Sequence, residues 1–365
     1  MKSSTKLLGT MILVVLLFTG MLFGQSLEER LQSMVAKNAE MYMNPLATAF
    51  GSGMNSGWFH SAKPHKLLGF DFGVRAMAVT FPDDQKMFNF DISQLEDYNF
   101  STTISDYSIE MTAADLYPNT EVPTILGKNK TVDVRASKDQ LVQIITDQMV
   151  NKGADADAIS AAGTLIEDAA ENALKAVPKM EIKGTGLDFI PLLVPQAAVG
   201  LSLPMLPIKA EIVVRGMPEV EISKELGSLQ FFGGGAKLAL DPFIPIPMFP
   251  VNIAVGAYTQ KMTLGSVFEA NNTLMSLMVG KDLNLMSLGL GVYGAVGLES
   301  SNIKIKYDLE LPDGTVSPVR FDMKGDNKFR TTIGGRIRLA VININADYSV
   351  GADNVFTVGA GISIR

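Results

Sequence analysis

From Phe329 to the end of the chain, apolar and polar residues alternate almost without a break, and this period of two constrains the fold more than any other feature of the sequence. Phe329, Thr331, Ile333, Gly335, Ile337 and Leu339 share one parity, and Arg330, Thr332, Gly334, Arg336 and Arg338 share the other. Such a segment is a strand with one apolar and one polar face. At Val341-Ile342 the parity flips, setting Ile342, Ile344, Ala346, Tyr348 and Val350 against Asn343, Asn345, Asp347 and Ser349. A flip without Gly or Pro predicts a very tight turn or a bulge. After Gly351-Ala-Asp-Asn354 the alternation resumes and runs to Arg365. Three strands of about ten residues joined by short turns are the signature of an antiparallel transmembrane β-barrel.

Composition agrees with that class. Of 365 residues, 47% are hydrophobic and 19% charged, against a usual charged share of about 25%. The net charge of −7 argues against nucleic-acid binding, which calls for a basic excess. With no cysteine, disulfides, thiol catalysis and cysteine metal sites are excluded.

Lys2 and Lys6 precede an apolar run from Leu7 to Phe23, with small residues at Gly20 and Gly24 and a polar segment beyond. This predicts a cleaved secretory signal peptide over 1–24, a retained anchor being the alternative. Residues 25–65 read as an N-terminal helix and plug. Ser26-Leu-Glu-Glu29 fits a capping box, Leu27, Leu31, Met34, Val35 and Tyr42 follow at helical spacing, and the Gly-rich stretch Phe50–Phe59 reads as irregular. The barrel is expected over 66–365, its first strand following Lys66. Within it, 83–190 reads as a mixed α/β insert, with helices at Gln140–Val150 and Asp155–Val177 and short strands near Tyr98–Ile104 and Thr131–Arg135.

After the insert, eleven strands are expected. Four of these are Leu285–Leu298, Ser301–Leu311, Val316–Lys324 and Lys328–Ala340. With the first strand that makes about twelve, or fourteen if the insert contributes a pair. Counting back from a periplasmic C-terminus places the 341–342 flip and Pro312-Asp-Gly314 on the periplasmic side, and Gly325–Asn327, Gly351–Asn354 and the insert outside.

Motifs for chemistry are weak. Gly289-Leu-Gly291-Val-Tyr-Gly294 matches G-x-G-x-x-G, but strand alternation runs straight through it, so a dinucleotide site is disfavoured. His60 and His65 have Pro64 between them and no adjacent carboxylate cluster, which predicts no metal site. No nucleophile, base and acid set is defensible, so no enzymatic activity and no cofactor are expected.

The polar strand faces are more informative. Arg75, Arg215, Lys237, Arg330, Arg336 and Arg338 all lie opposite the apolar parity. They either solvate the lumen and pair with residues such as Asp71, Glu211 and Asp347, or form a basic constriction for an anionic head group. Gly233, Gly235, Ala254, Gly256, Gly291 and Ala295 on the same faces predict a narrow, partly apolar passage.

The order of parts is a signal peptide, a short helical plug carrying Asn44-Pro45-Leu46 and the only tryptophan, Trp58, and then amphipathic strands to the C-terminus. In this the chain resembles the long-chain fatty-acid transporter superfamily of outer membranes. The resemblance implies a plugged outer-membrane barrel that passes a hydrophobic or anionic amphipathic small molecule. Its partners would be the lipid bilayer and the barrel-assembly machinery. A structural or adhesion barrel whose outer insert binds a partner is the alternative function, and a soluble secreted β-sandwich the alternative fold. Relatives of this architecture usually end on an aromatic residue, whereas this chain ends on Arg365.

Overall fold

The computed structural model describes residues 36–365 except 202–207, 224–226, 245–249, 267, 286–287, 311–315 and 365. The expected signal peptide, the Ser26–Glu29 box and Arg365 lie outside the described residues. Over the described chain there are two compact units. One comprises 44–82 and 188–364, the other 36–43 and 83–187.

Helix α1 (Ala36–Met54) contributes its first half to the second unit and its second half to the first. It runs through Pro45, although proline removes one backbone donor from a helix. It also runs through Gly51 and Gly53, so the expected irregular stretch is helical as far as Met54. These glycines serve close packing. A Cβ at Gly51 would collide with the Ser301 side chain, and one at Gly53 would sit 2.7 Å from Val79 Cγ2. The turn comes later, at Gly57, whose φ of +68° suits glycine.

Strand β1 (Phe70–Thr80) follows, and the chain then enters the second unit. There β2 (Met87–Asn89) pairs with β5 (Glu121–Pro123), β3 (Phe100–Ile104) with β4 (Tyr107–Met111), and β6 (Thr131–Asp133) with β7 (Glu181–Lys183). The helices are α2 (Ala113–Leu116), α3 (Lys138–Asn151), α4 (Ala156–Ala161) and α5 (Gly163–Ala176). The single helix expected over Asp155–Val177 is therefore divided at Ala162, just before Gly163, a weak helix former. Ser137 and Gln140 close a capping box on α3. Leu141, Ile145 and Met149 of α3 and Ile166, Ala170 and Ala173 of α5 are buried, each set on one helical face.

The barrel continues as β8 (Ile190–Gly200), β9 (Ala210–Ser223), β10 (Gly227–Ala239), β11 (Asn252–Leu264), β12 (Phe268–Leu285), β13 (Leu288–Glu310), β14 (Val316–Lys324), β15 (Phe329–Leu339), β16 (Ile342–Val350) and β17 (Asn354–Ile364). All pairings are antiparallel. The ring β1-β8-β9-β10-β11-β12-β13-β15-β16-β17 closes through β17 on β1, giving ten strands. Ring closure replaces the soluble sandwich alternative.

The strand count of twelve to fourteen is corrected by two mergers. Leu285–Leu298 and Ser301–Leu311 are one strand, β13. Its inner part pairs with β15, Leu298 opposite Phe329, and its outer part with β14, Asn302 opposite Lys324. β14 and β15 therefore follow one path along β13. Four residues, 325–328, face three, 299–301, which is a bulge rather than a loop. The expected turn Pro312-Asp-Gly314 lies outside the described residues, and the facing ends of the two strands, Glu310 and Val316, lie at the same end of the ring as the 351–353 turn, not opposite it. The 83–187 segment leaves the ring at the end opposite the 340–341 turn, as expected, but short links are not sorted to one end, because at the 340–341 end β8 and β9 are separated by nine residues of sequence and β10 and β11 by twelve. The parity flip itself is a two-residue turn at Ala340-Val341, with Ala340 at φ +53°.

Side chains alternate as the ring requires. Phe72, Phe232, Met275, Val292, Leu298 and Ile333 are exposed on the outer wall, while Asp71, Arg75, Arg215, Lys237 and Arg330 are buried inside.

Candidate functional site

The lumen holds residues 44–68 of the same unit, and each cation singled out from the sequence is engaged. Arg215 donates from Nε to Gln196 Oε1 (2.7 Å), from Nη1 to the Met54 carbonyl (3.1 Å) and from Nη2 to the Ser56 carbonyl (2.7 Å). Its guanidinium lies 3.8 Å from the Trp58 ring centroid, and Trp58 stacks on Tyr258 at 4.9 Å. Arginine fits because one planar fork can donate to several carbonyls while stacking on a ring.

Arg330 donates to Ser56 Oγ (2.5 Å) and to the Ser52 carbonyl (2.6 Å), and pairs with Glu299 at 3.1 Å. Lys237 bonds the Ser61 carbonyl (3.0 Å) and Glu211 (2.8 Å). The other oxygen of Glu211 accepts from the His65 backbone N–H (2.9 Å) and meets His65 Nδ1 at 2.5 Å, while His65 Nε2 lies 3.1 Å from Ser363 Oγ. Gln260 donates to the Met54 carbonyl as well. The last turn of α1 and the loop after it thus have their free carbonyls met by wall side chains, as buried backbone acceptors require.

Arg75 bonds Asp71 at 2.9 Å and His60 Nδ1 at 3.1 Å, and Asn343 donates to the second Asp71 oxygen at 3.2 Å. Arg336 pairs with Asp282 at 2.6 Å, and Ser61 Oγ donates to the same carboxylate at 3.2 Å. Arg338 is only half-buried and donates to Asn284 at 2.9 Å. Asn44 bonds Asp326 at 3.3 Å, and Thr48 Oγ1 accepts from the Asp326 N–H at 3.1 Å. The expected plug residues Asn44, Pro45 and Trp58 all fall within this unit. Among the described residues no group of His, Asp and Glu has the arrangement of a metal site.

Asp71 and Glu211, expected as pairing partners, fill that role. Asp347 instead accepts from the Tyr293 hydroxyl at 3.0 Å. Asp282 and Glu299 escape the sequence reading because Asp282 lies just before the expected strand Leu285–Leu298 and Glu299 between that strand and Ser301–Leu311. Extended by a few residues, the alternation places both on the inward parity. Gly291, between Asp282 and Arg336 in register, leaves room for their pair, since a Cβ there would collide with Asp282. The G-x-G-x-x-G stretch is accordingly strand throughout.

The family of unknown function DUF6588 matches residues 1–364. The chain belongs to that family. Comparison with curated proteins gives no match. Among solved structures, the β-domain of the Bordetella autotransporter BrkA is similar, at 12% identity over 48% of this chain and 91% of that one, with a TM-score of 0.21. DUF6588 membership thus covers the plug, insert and barrel together but assigns no activity.

Proposed function

We propose that this DUF6588 chain is an outer-membrane barrel closed by its own plug, serving as the anchor for the 83–187 unit, which acts on the cell exterior by binding a partner. The membrane reading is supported by the closed ring with an apolar outer wall, the arrangement that leaves no unpaired sheet edge in lipid. The carrying observation for closure is that Arg215, Lys237 and Arg330 are occupied by plug carbonyls and wall carboxylates. Cations already satisfied in this way offer little to an anionic solute. The 83–187 segment has 18 acidic and 9 basic residues, which favours a cationic partner surface through long-range attraction.

The absence of cysteine from the chain makes the test direct. Leu165, exposed on α5, is changed to Cys, and intact cells are treated with a membrane-impermeant maleimide. Labelling is expected, and protection until the cells are lysed would overturn the outward assignment. A second reading, passage of an anionic amphipathic molecule, rests on the same arginines. It predicts that the purified chain in liposomes admits a fluorescent long-chain carboxylate and that Arg330→Gln abolishes this flux. We expect no such flux while the plug is in place.

A further inference from the structure

The lumen wall is divided by chemistry. β11, β12 and β13 turn Ala254, Tyr258, Leu274, Met278, Tyr293 and Ala295 toward the cluster that contains Trp58 and Phe59. β16 turns in only polar side chains, Asn343, Asn345, Asp347 and Ser349, and all four are buried. Their register neighbours include Thr357 opposite Asp347 and Thr332 opposite Ser349, both also buried. One face of a single strand is thus a polar strip along the barrel wall.

Several atoms of this strip lack a protein hydrogen bond. They are Oδ1 of Asn343, both amide atoms of Asn345 and Oδ1 of Asp347, together with both amide atoms of Asn55 on the plug, none of which has a hydrogen bond of ordinary geometry, although Asn345 interacts with Tyr293, Asp347 with Thr357 and Asn55 with Glu299. Tyr293 reaches the strip but bonds the other oxygen of Asp347. A buried polar group without a partner carries its full desolvation penalty. Between the plug and the strip lies a small cavity, with about 10 Å³ open to the centre of a water molecule, bordered by Asn55, Ser56, Arg330, Thr332, Asp347 and Ser349. That is about the space one water needs, and its border offers several polar partners.

Spacing extends the argument beyond one water. Alternate side chains on a strand are about 6.8 Å apart, and a water bridging two polar atoms spans about 5.6 Å at ordinary hydrogen-bond lengths. At that spacing flexible side chains let a single water bridge neighbouring members of the strip. The strip runs from Asn343, beside the turn at Ala340-Val341, to Ser349, just before the 351–353 turn, so it reaches both ends of β16. On β11 and β12 the buried polar side chains Gln260, Asn272 and Ser276 are instead interrupted by Tyr258, Leu274 and Met278.

We propose that β16 carries a file of internal water past the plug, so that the barrel is closed to solutes but permeable to water. The file has Asn343, Asn345, Asp347 and Ser349 on the wall side and Asn55 on the plug side. Its order depends on amide groups that both donate and accept.

The full chain, purified and reconstituted in liposomes, tests this by osmotic shrinkage in stopped flow. We expect water permeability severalfold above that of protein-free liposomes, with no leak of glucose. Asn345→Leu, which keeps the side-chain volume and removes both polar atoms, should return permeability toward the lipid baseline while retaining heat-modifiable gel mobility. Permeability equal to the baseline for the natural chain, or unchanged by a folded Asn345→Leu, overturns the proposal. Should that variant not fold, hydroxyl-radical footprinting of the natural chain decides. Phe59 and Leu274 border the cavity but are buried, and their modification marks water held there, whereas their protection overturns the file. Solute leak would instead count against the closed-plug reading, leaving the two claims separable.

Discussion

The two units of this chain follow opposite burial rules. In the barrel unit Arg75 is wholly buried and Ile333 is 71% exposed. In the 83–187 unit Ile145 and Met149 are wholly buried, and Glu167 and Glu171 stand in solvent with Lys138 between them. The chemistry of the residues is the same and the surroundings differ. An apolar side chain is driven away from water, and for a wall that faces lipid the outside is the dry side. The barrel unit then has to satisfy its charges internally, which it does with plug carbonyls and facing carboxylates. The acidic unit leaves its charges to water.

The largest expected break in this contrast is Arg330→Ala. It leaves the buried Glu299 without its cation, and losing one partner of a buried pair costs about 3–5 kcal/mol. Urea unfolding followed by gel mobility should show that loss, whereas the exposed Lys138→Ala in the other unit should leave the midpoint in place. Next in size is Ile333→Arg on the outer wall. A cation on a lipid-facing strand costs about 2–4 kcal/mol at mid-bilayer, so folding into lipid vesicles should fall sharply. The matching change at the exposed Leu165 of α5, Leu165→Lys, should stay within about 0.5 kcal/mol as an ordinary surface substitution. Equal responses at the two sites would break the comparison.

A smaller effect is expected from Gly51→Ala. Its Cβ would press on Ser301, and overpacking of this kind costs about 1–3 kcal/mol. Because the damage falls between plug and wall, glucose leak from proteoliposomes should rise with little change in barrel mobility. The smallest concerns pH in the other unit. A hydrogen bond from Lys37, followed by those from Ser93, holds the Asp91 carboxyl well below its usual range. A depressed carboxylate stabilises the folded state above its unfolded pKa of about 3.9 and loses that contribution as pH falls through the folded value. Asp91→Asn should therefore raise proteolytic cleavage of the α1 start at pH 7 and make no difference once the medium is acidic enough to protonate Asp91.

Much of the barrel was legible as parity. The inward placement of Arg75, Arg215, Lys237, Arg330 and Arg336 follows from alternation alone, as does the tight turn at Ala340-Val341. Val316–Lys324 and Ile342–Val350 match their expected bounds. The merged strands were not legible. Polar residues at 299–302 and 325–328 look like turns in isolation, but here they form a bulge whose Asn327 donates to Ser301 Oγ at 3.0 Å. The helix through Gly51 and Gly53 was hidden for a related reason. Glycine reads locally as a break, and only the nearness of Ser301, Val79 and Leu192 shows it to be a contact.

The sequence by itself determined that strands with one wet and one dry face would form, and which side chains each would turn to which face, because a period of two is a property of the local backbone. Tertiary structure alone decided that ten strands close the ring, that Asp282 stands across Gly291 from Arg336, and that Arg215 and Arg330 grip the plug. Those facts depend on register and closure, which bring together residues up to 298 positions apart, as with His65 and Ser363.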